Sequence, residues 1–149
     1  MTSESRTVAG VILIIMPTVV IGGVSVLTLL VNDEEYTQNA LRQDLWRAGH
    51  AHAGVLLVLT LVALRYVDET ALSERSRWVV RLLFPTAAVL MPLAFFLSVL
   101  DPAATEPNAL VNLAYLGAVV LCVAMLTLGV GLVRARTRAA HAPEPVPYR

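Results

Sequence analysis

Four long apolar runs constrain this chain more than any other feature of its sequence. They extend approximately from Val8 to Val31, Ala48 to Tyr66, Trp78 to Leu100 and Ala109 to Val133. The hydrocarbon core of a bilayer is roughly 30 Å thick, and a helix needs about 20 mostly apolar residues to cross it. Backbone N–H and C=O groups find no water there, so a spanning segment must be a helix or part of a closed barrel. None of the runs alternates apolar and polar residues with the period of two that a barrel strand requires. The predicted fold is therefore all-α, an integral membrane bundle of four helices. Composition agrees: 57% of the residues are hydrophobic and 15% charged, and the mean hydropathy is +0.71. Soluble globular domains are far more polar than this.

The runs organise the chain into one four-helix transmembrane domain, residues 1–138, and a tail, 139–149. The tail sequence His141-Ala142-Pro143-Glu144-Pro145-Val146-Pro147 is polar and proline-rich, which predicts disorder. The first run is too long for the apolar region of a signal peptide. It is followed by Asn32-Asp33-Glu34-Glu35 in place of a small-residue cleavage site, so it is expected to be a retained helix.

Loop arginines predict the orientation, because cytoplasmic loops are enriched in them. All 11 basic residues are arginine. The link between the second and third runs carries Arg65, Arg75, Arg77 and Arg81, and the C-terminal segment carries Arg134, Arg136, Arg138 and Arg149. The other side has only Arg42 and Arg47, and the loop from Asp101 to Pro107 has none. The sequence thus predicts a multi-pass protein of the cell (plasma) membrane with both termini cytoplasmic. On the outer side, Thr37 is the predicted N-cap of a helical lead-in to the second run. Trp46 is placed at the outer headgroup level, with Trp78 and Tyr66 at the inner one. Pro85 and Pro92, seven apart on one face of the third run, invite a kink.

Polar groups are costly at membrane depth, so their grouping carries information. Thr18, Gly22, Ser25 and Asn32 share one stripe of the first helix, and Asn108, Asn112, Tyr115 and Cys122 share one of the fourth. Both stripes are expected to face the bundle interior. The sharpest local signal is Arg47-Ala48-Gly49-His50-Ala51-His52-Ala53-Gly54 at the start of the second run. Imidazole is a ligand for haem iron, copper and other metals. Positions two apart on a helix point about 200° apart, so His50 and His52 cannot easily chelate one ion from this helix alone. Ala53 and Gly54 leave a notch beside His50, whereas Leu56 and Leu59 lie over His52 and suit lipid or a neighbouring subunit. The candidate cofactor-binding residues are His50, His52, Asn112 and Tyr115, and the candidate metal ligands are His50 and His52, with His50 the better placed. The same residues equally suit plain helix packing, with His50 bonded to Asn112, Tyr115 or a carbonyl.

The stretch Gly49-His50-Ala51-His52-Ala53-Gly54, followed by Val55-Leu56-Leu57-Val58-Leu59, resembles the histidine-bearing helices of small four-helix membrane proteins related to haem-copper oxidase subunit one. The resemblance covers some 15 residues. It implies that His50 or His52 is an axial ligand to haem. The copper-binding histidines that the family carries on later helices have no counterpart here, so this chain is not a complete terminal oxidase on its own.

No phosphate-cradling glycine loop, His-Glu-x-x-His, Gly-x-Ser-x-Gly or paired intramembrane carboxylate is present, which disfavours a hydrolase or transferase. The single cysteine, Cys122, excludes an intramolecular disulfide and any multi-cysteine zinc site. A net charge of zero gives no global field to attract nucleic acid. Three readings remain open. One is a redox or assembly module holding haem b or copper in the outer half of the bundle. Another is a cofactor-free accessory or structural subunit of a homo-oligomer or larger membrane complex. The third, a transporter of a small solute or proton, has the least support, because there is neither an intramembrane acid nor an inverted repeat for coupling. The arginines could in addition contact anionic lipid headgroups.

Overall fold

The computed structural model describes residues 1–140, and it is all-helical. In chain order the helices are α1 (Ser3–Asn32), the short α2 (Glu34–Gln38), α3 (Ala40–Val67), α4 (Glu74–Leu97) and α5 (Asn112–Ala140), with a 3-10 turn at Ala109–Val111 leading into α5. Four of them, α1, α3, α4 and α5, are long and apolar enough to cross a membrane. The last helix includes residues 139 and 140, so the first two positions of the expected tail continue it. Residues 141–149, with His141, lie outside the described residues.

Short polar side chains start the helices by satisfying amides that have no carbonyl one turn back. Thr2 caps α1 through Ser5 N, Asp33 caps α2 through Tyr36 N, Asn39 caps α3 through Arg42 N, and Ser73 caps α4 through Ser76 N. The lead-in to the second run is helical as expected, but its cap is Asn39. Thr37 lies inside α2, because Asp33 starts a separate short helix and the chain turns at Asn39. Asn39 also ties the α1–α3 connection to the α4–α5 loop, donating its side-chain amide to the carbonyls of Pro102 and Ala104. Helix α4 runs through Pro85 and Pro92 without a break in its assignment.

The spanning helices form an open row, α1–α3–α4–α5. Contacts are most extensive between α3 and α4 and between α4 and α5, smaller between α1 and α3, and, among the described residues, absent between α1 and α5. One core layer joins Ala63 and Val67 of α3, Val80 and Phe84 of α4, and Ala124 of α5. Another joins Ile12 of α1, Leu56 and Leu57 of α3, and Ala88 of α4. Within the most apolar stretch of each helix, 39% is buried for α4 but only 6% for α1. The first helix is therefore an edge element, leaning on α3 with most of its circumference uncovered.

Small residues decide how closely α5 approaches its neighbours. Gly117, Ala124 and Gly131 recur every seven residues on its protein-facing side, and all three are buried. A methyl group built on Gly117 would lie 2.5 Å from Met91 Cγ and 3.3 Å from the Met91 backbone nitrogen. One built on Gly131 would lie 2.7 Å from Leu72 Cγ. The Gly131 carbonyl accepts a hydrogen bond from Ala71 N at 3.1 Å, which fastens the end of α5 to the α3–α4 turn. This is the close backbone approach by which helices associate where lipid removes the usual hydrophobic drive.

Candidate functional site

The histidine pair stands on the N-terminal half of α3, with its two rings on opposite sides, as helical geometry requires. His50 faces α1. A methyl group on Gly23 would lie 2.8 Å from its Cε1 and 2.9 Å from its Nε2, so the ring edge is seated where α1 has no side chain. Gly22 is next to it, 3.9 Å from Nδ1, and Gly54 meets Val19 of α1 a turn further along α3. The notch beside His50 is thus filled by a neighbouring helix. The small residues of α1 and α3 let the two backbones approach, and the imidazole fills the gap between them.

His52 faces α4. The sequence suggested lipid or another subunit on this side, but Phe95 packs against the half-buried ring, with centroids 5.1 Å apart. Leu56, expected to lie over His52 on an outer face, is a core residue with 5% exposure. The Nδ1 of His52 lies 2.7 Å from the carbonyl oxygen of Ala48. A carbonyl can only accept, so Nδ1 is the donor in this contact, and in the neutral form of the ring Nε2 is then the acceptor nitrogen. That is the tautomer an imidazole ligand uses, its other nitrogen fixed by a carbonyl.

The other two candidates stand apart from both histidines. Asn112 is exposed and donates to the carbonyl of Ala109 at the start of α5. Tyr115 is 72% exposed on the outer side of α5. Because α1 and α5 sit at opposite edges of the row, neither residue approaches His50. The polar stripes turn outward for the same reason. Thr18, Ser25 and Asn32 of α1 and Asn112, Tyr115 and Cys122 of α5 are exposed, while Gly22 alone of its stripe faces α3. On α1, hydroxyl and amide groups turn back to their own helix, Thr18 to Ile15 O, Ser25 to Ile21 O, Thr28 to Val24 O and Asn32 to Thr28 O.

The residues present do not fit a haem or a metal held by this chain alone. The two imidazoles point into different helix contacts, and the edge of His50 is seated against Gly23. Among those residues no three His, Cys, Asp or Glu side chains gather where one ion could bind. A cofactor on His52 would have to take its remaining ligands from outside the chain. No protein-family model, curated protein or solved structure matches this chain.

A second polar centre, at the opposite end of the row, was not recognised from sequence. Arg81 lies two turns inside α4 with none of its surface exposed. Its Nη2 donates to Asp68 at 2.9 Å and to the Thr2 hydroxyl at 3.2 Å, its Nη1 to Glu74 at 2.7 Å, and its Nε to Ser5 Oγ at 3.0 Å. Asp68 in turn accepts from the Thr2 amide at 2.7 Å and from the Ser5 hydroxyl at 2.9 Å. Three helix ends meet in this cluster, the start of α1, the end of α3 and the start of α4. Desolvation pushes the Asp68 carboxyl upward. The hydrogen bonds from the Thr2 amide, Arg81 and the Ser5 and Thr2 hydroxyls outweigh it and hold the carboxyl below its ordinary range. The sequence did carry a signal for this centre. Arg81 is inside an apolar run, where a charge needs a partner, and Glu74 and Asp68 precede it by seven and 13 residues.

At the end of the row that carries α2 an arginine is also buried, but in an aromatic setting. Arg42 has 6% exposure, donates from Nε to Val99 O at 3.2 Å, and stacks its guanidinium 5.0 Å from the Trp46 ring centroid and 5.9 Å from that of Tyr36. Trp46 meets Phe96 edge to face at 6.0 Å, and Phe95 and Phe96 press on Gly49. Both ends of the α3–α4 pair are therefore locked by a buried arginine, one through carboxylates and the other through rings.

Proposed function

We propose that this protein is an accessory subunit of a larger membrane assembly, either a homo-oligomer or a complex with other membrane proteins, and that it docks through the outward face of α1. The observation that carries the reading is the mismatch between that face and lipid. Hydroxyl and amide side chains at Thr18, Ser25, Thr28 and Asn32 recur along one side of a spanning helix that its own chain leaves almost uncovered. Such residues are the ordinary interhelical glue of membrane proteins. The histidines fit the same reading, with His50 keying α1 onto α3 and His52 packing α3 on α4. The asymmetric arginines support both termini in the cytoplasm, and the protein in the cell membrane.

Cross-linking tests the docking face. In a Cys122→Ser background, Ser25→Cys and Thr18→Cys are expected to give higher-mass adducts in native membranes, whereas Val119→Cys on the exposed side of α5 gives none. Monomer alone at both α1 positions, with labelling that proves the thiols accessible, removes the proposal.

A second reading rests on the His52 tautomer. Its Nε2 lone pair suits haem b or copper if another chain supplies the remaining ligands. An absorption spectrum with metal analysis of the assembly isolated in mild detergent is its test. A Soret band or stoichiometric copper that disappears in His52→Ala supports it, and the absence of both signals ends it.

A further inference from the structure

The two ends of the helix row carry opposite kinds of unsatisfied charge. At the end bearing Thr2, Asp68 and Glu74 pair with Arg81 and Glu69 pairs with Arg65, which leaves Glu4 as the one carboxylate there without an ion pair among the described residues. Among the described residues, four exposed arginines remain there without an ion pair or side-chain hydrogen bond, namely Arg6 on α1, Arg75 on α4, and Arg134 and Arg136 on α5. At the other end Arg42 is buried among rings and Arg47 is paired with Asp44, so Asp33, Glu34, Glu35, Asp101 and Glu106 are the charges left over.

The free arginines are held at a definite depth. Gly131 is bonded to Ala71 and packed on Leu72, so Arg134, one turn later, is carried beside the turn that opens α4 with Ser73, Glu74 and Arg75. Arg134 and Arg136 flank Ala135, which is partly covered by the protein. Trp78 and Tyr66, 40% and 46% exposed, stand on the same end of α4 and α3, at the level where amphipathic rings mark the membrane interface. Guanidinium groups without counterions at headgroup level meet phosphate there, and their forked donors bind it bidentately.

We propose that this end of the protein binds anionic phospholipid headgroups through Arg75, Arg134 and Arg136, with Arg6 completing the rim beside α1. The surface is left cationic because the neighbouring carboxylates are already paired: Asp68 is largely buried against Arg81, and Glu74, although exposed, is shared between Arg81 and Arg77. The site is independent of the α1 docking face and of any cofactor.

The test uses the full chain reconstituted in phosphatidylcholine vesicles containing a spin-labelled lipid, either phosphatidylglycerol or phosphatidylcholine, at fixed mole fraction. The wild type is expected to immobilise the anionic probe several-fold more strongly than the zwitterionic one, with the preference falling as salt is raised. The variant R75Q/R134Q/R136Q is expected to lose most of that preference, since the guanidiniums supply the attraction to the anionic headgroup. R47Q, at the opposite end, retains it. Equal immobilisation of the two probes by the wild type overturns the proposal, as does a preference that survives the triple substitution. All three residues are exposed and unpaired, so unchanged elution in detergent confirms that the variants are folded.

Discussion

Replacing Arg81 with glutamine is expected to destabilise the folded chain by about 3 to 5 kcal/mol, the range for removing one partner of a buried ion pair. The guanidinium has no exposed surface and serves four acceptors, so its loss leaves Asp68 facing Ser5 and Thr2 without a cation and Glu74 with Arg77 as its remaining ion-pair partner. Unfolding followed by helical signal in mixed detergent micelles measures the effect. Because the cluster is the polar tie between α1 and the α3–α4 pair, accessibility of thiols placed on the α3-facing side of α1 is expected to rise with it. An Arg81→Leu/Asp68→Leu double variant that recovers most of the loss identifies the penalty as an uncompensated charge. A loss under about 1 kcal/mol contradicts the account. The pH dependence follows in sign from the carboxylate. Asp68 has a folded-state pKa below its unfolded value, which lies near about 3.9. Its contribution is therefore complete at neutral pH and is lost as pH falls through the folded-state value, and Asp68→Asn is expected to flatten that acid limb.

The second large effect is expected at Gly117. A valine there is predicted to destabilise the α4–α5 contact by at least the about 1 to 3 kcal/mol typical of overpacking. Gly117 already leaves only 3.3 Å between an added methyl group and the Met91 backbone nitrogen, and that atom cannot rotate away. Gly129, with nothing within 4 Å of an added methyl group, provides the comparison: Gly129→Ala is expected to be tolerated. Parallel unfolding curves for the two variants check the contrast. A Gly117→Val protein as stable as Gly129→Ala would mean that α5 does not seat on α4 through this glycine. Met91→Ala is expected to relieve part of the cost, because it removes the Cγ that stands 2.5 Å from the added atom.

The four spanning helices were legible in the sequence because length and hydropathy in a bilayer are local properties. Whether a run of residues can cross is decided within that run, by its own apolar length. The helical lead-in before α3 was also legible, although its cap fell on Asn39 after a separate short helix. The opposed directions of His50 and His52 followed from helical geometry alone. What each ring meets did not. A helical stripe defines an angular position relative to its own axis, and only the placement of other helices turns that angle into inside or outside.

That distinction accounts for the residues that moved. Thr18, Ser25 and Asn32 of α1 and Asn112 and Tyr115 of α5 were expected inside a closed bundle, where they could reach His50. The open row places α1 and α5 at opposite edges, so those residues face outward, and the histidines meet Gly23 and Phe95 instead. Arg81 illustrates the same limit for charge. As a loop residue it marks orientation, but its burial depends on Thr2, Ser5, Asp68 and Glu74 converging from three helix ends. Composition and hydropathy determined that the chain is helical and membrane-spanning. Tertiary packing decided which polar residues become ties within the protein and which are left to lipid or partners, because that depends on neighbours distant in sequence.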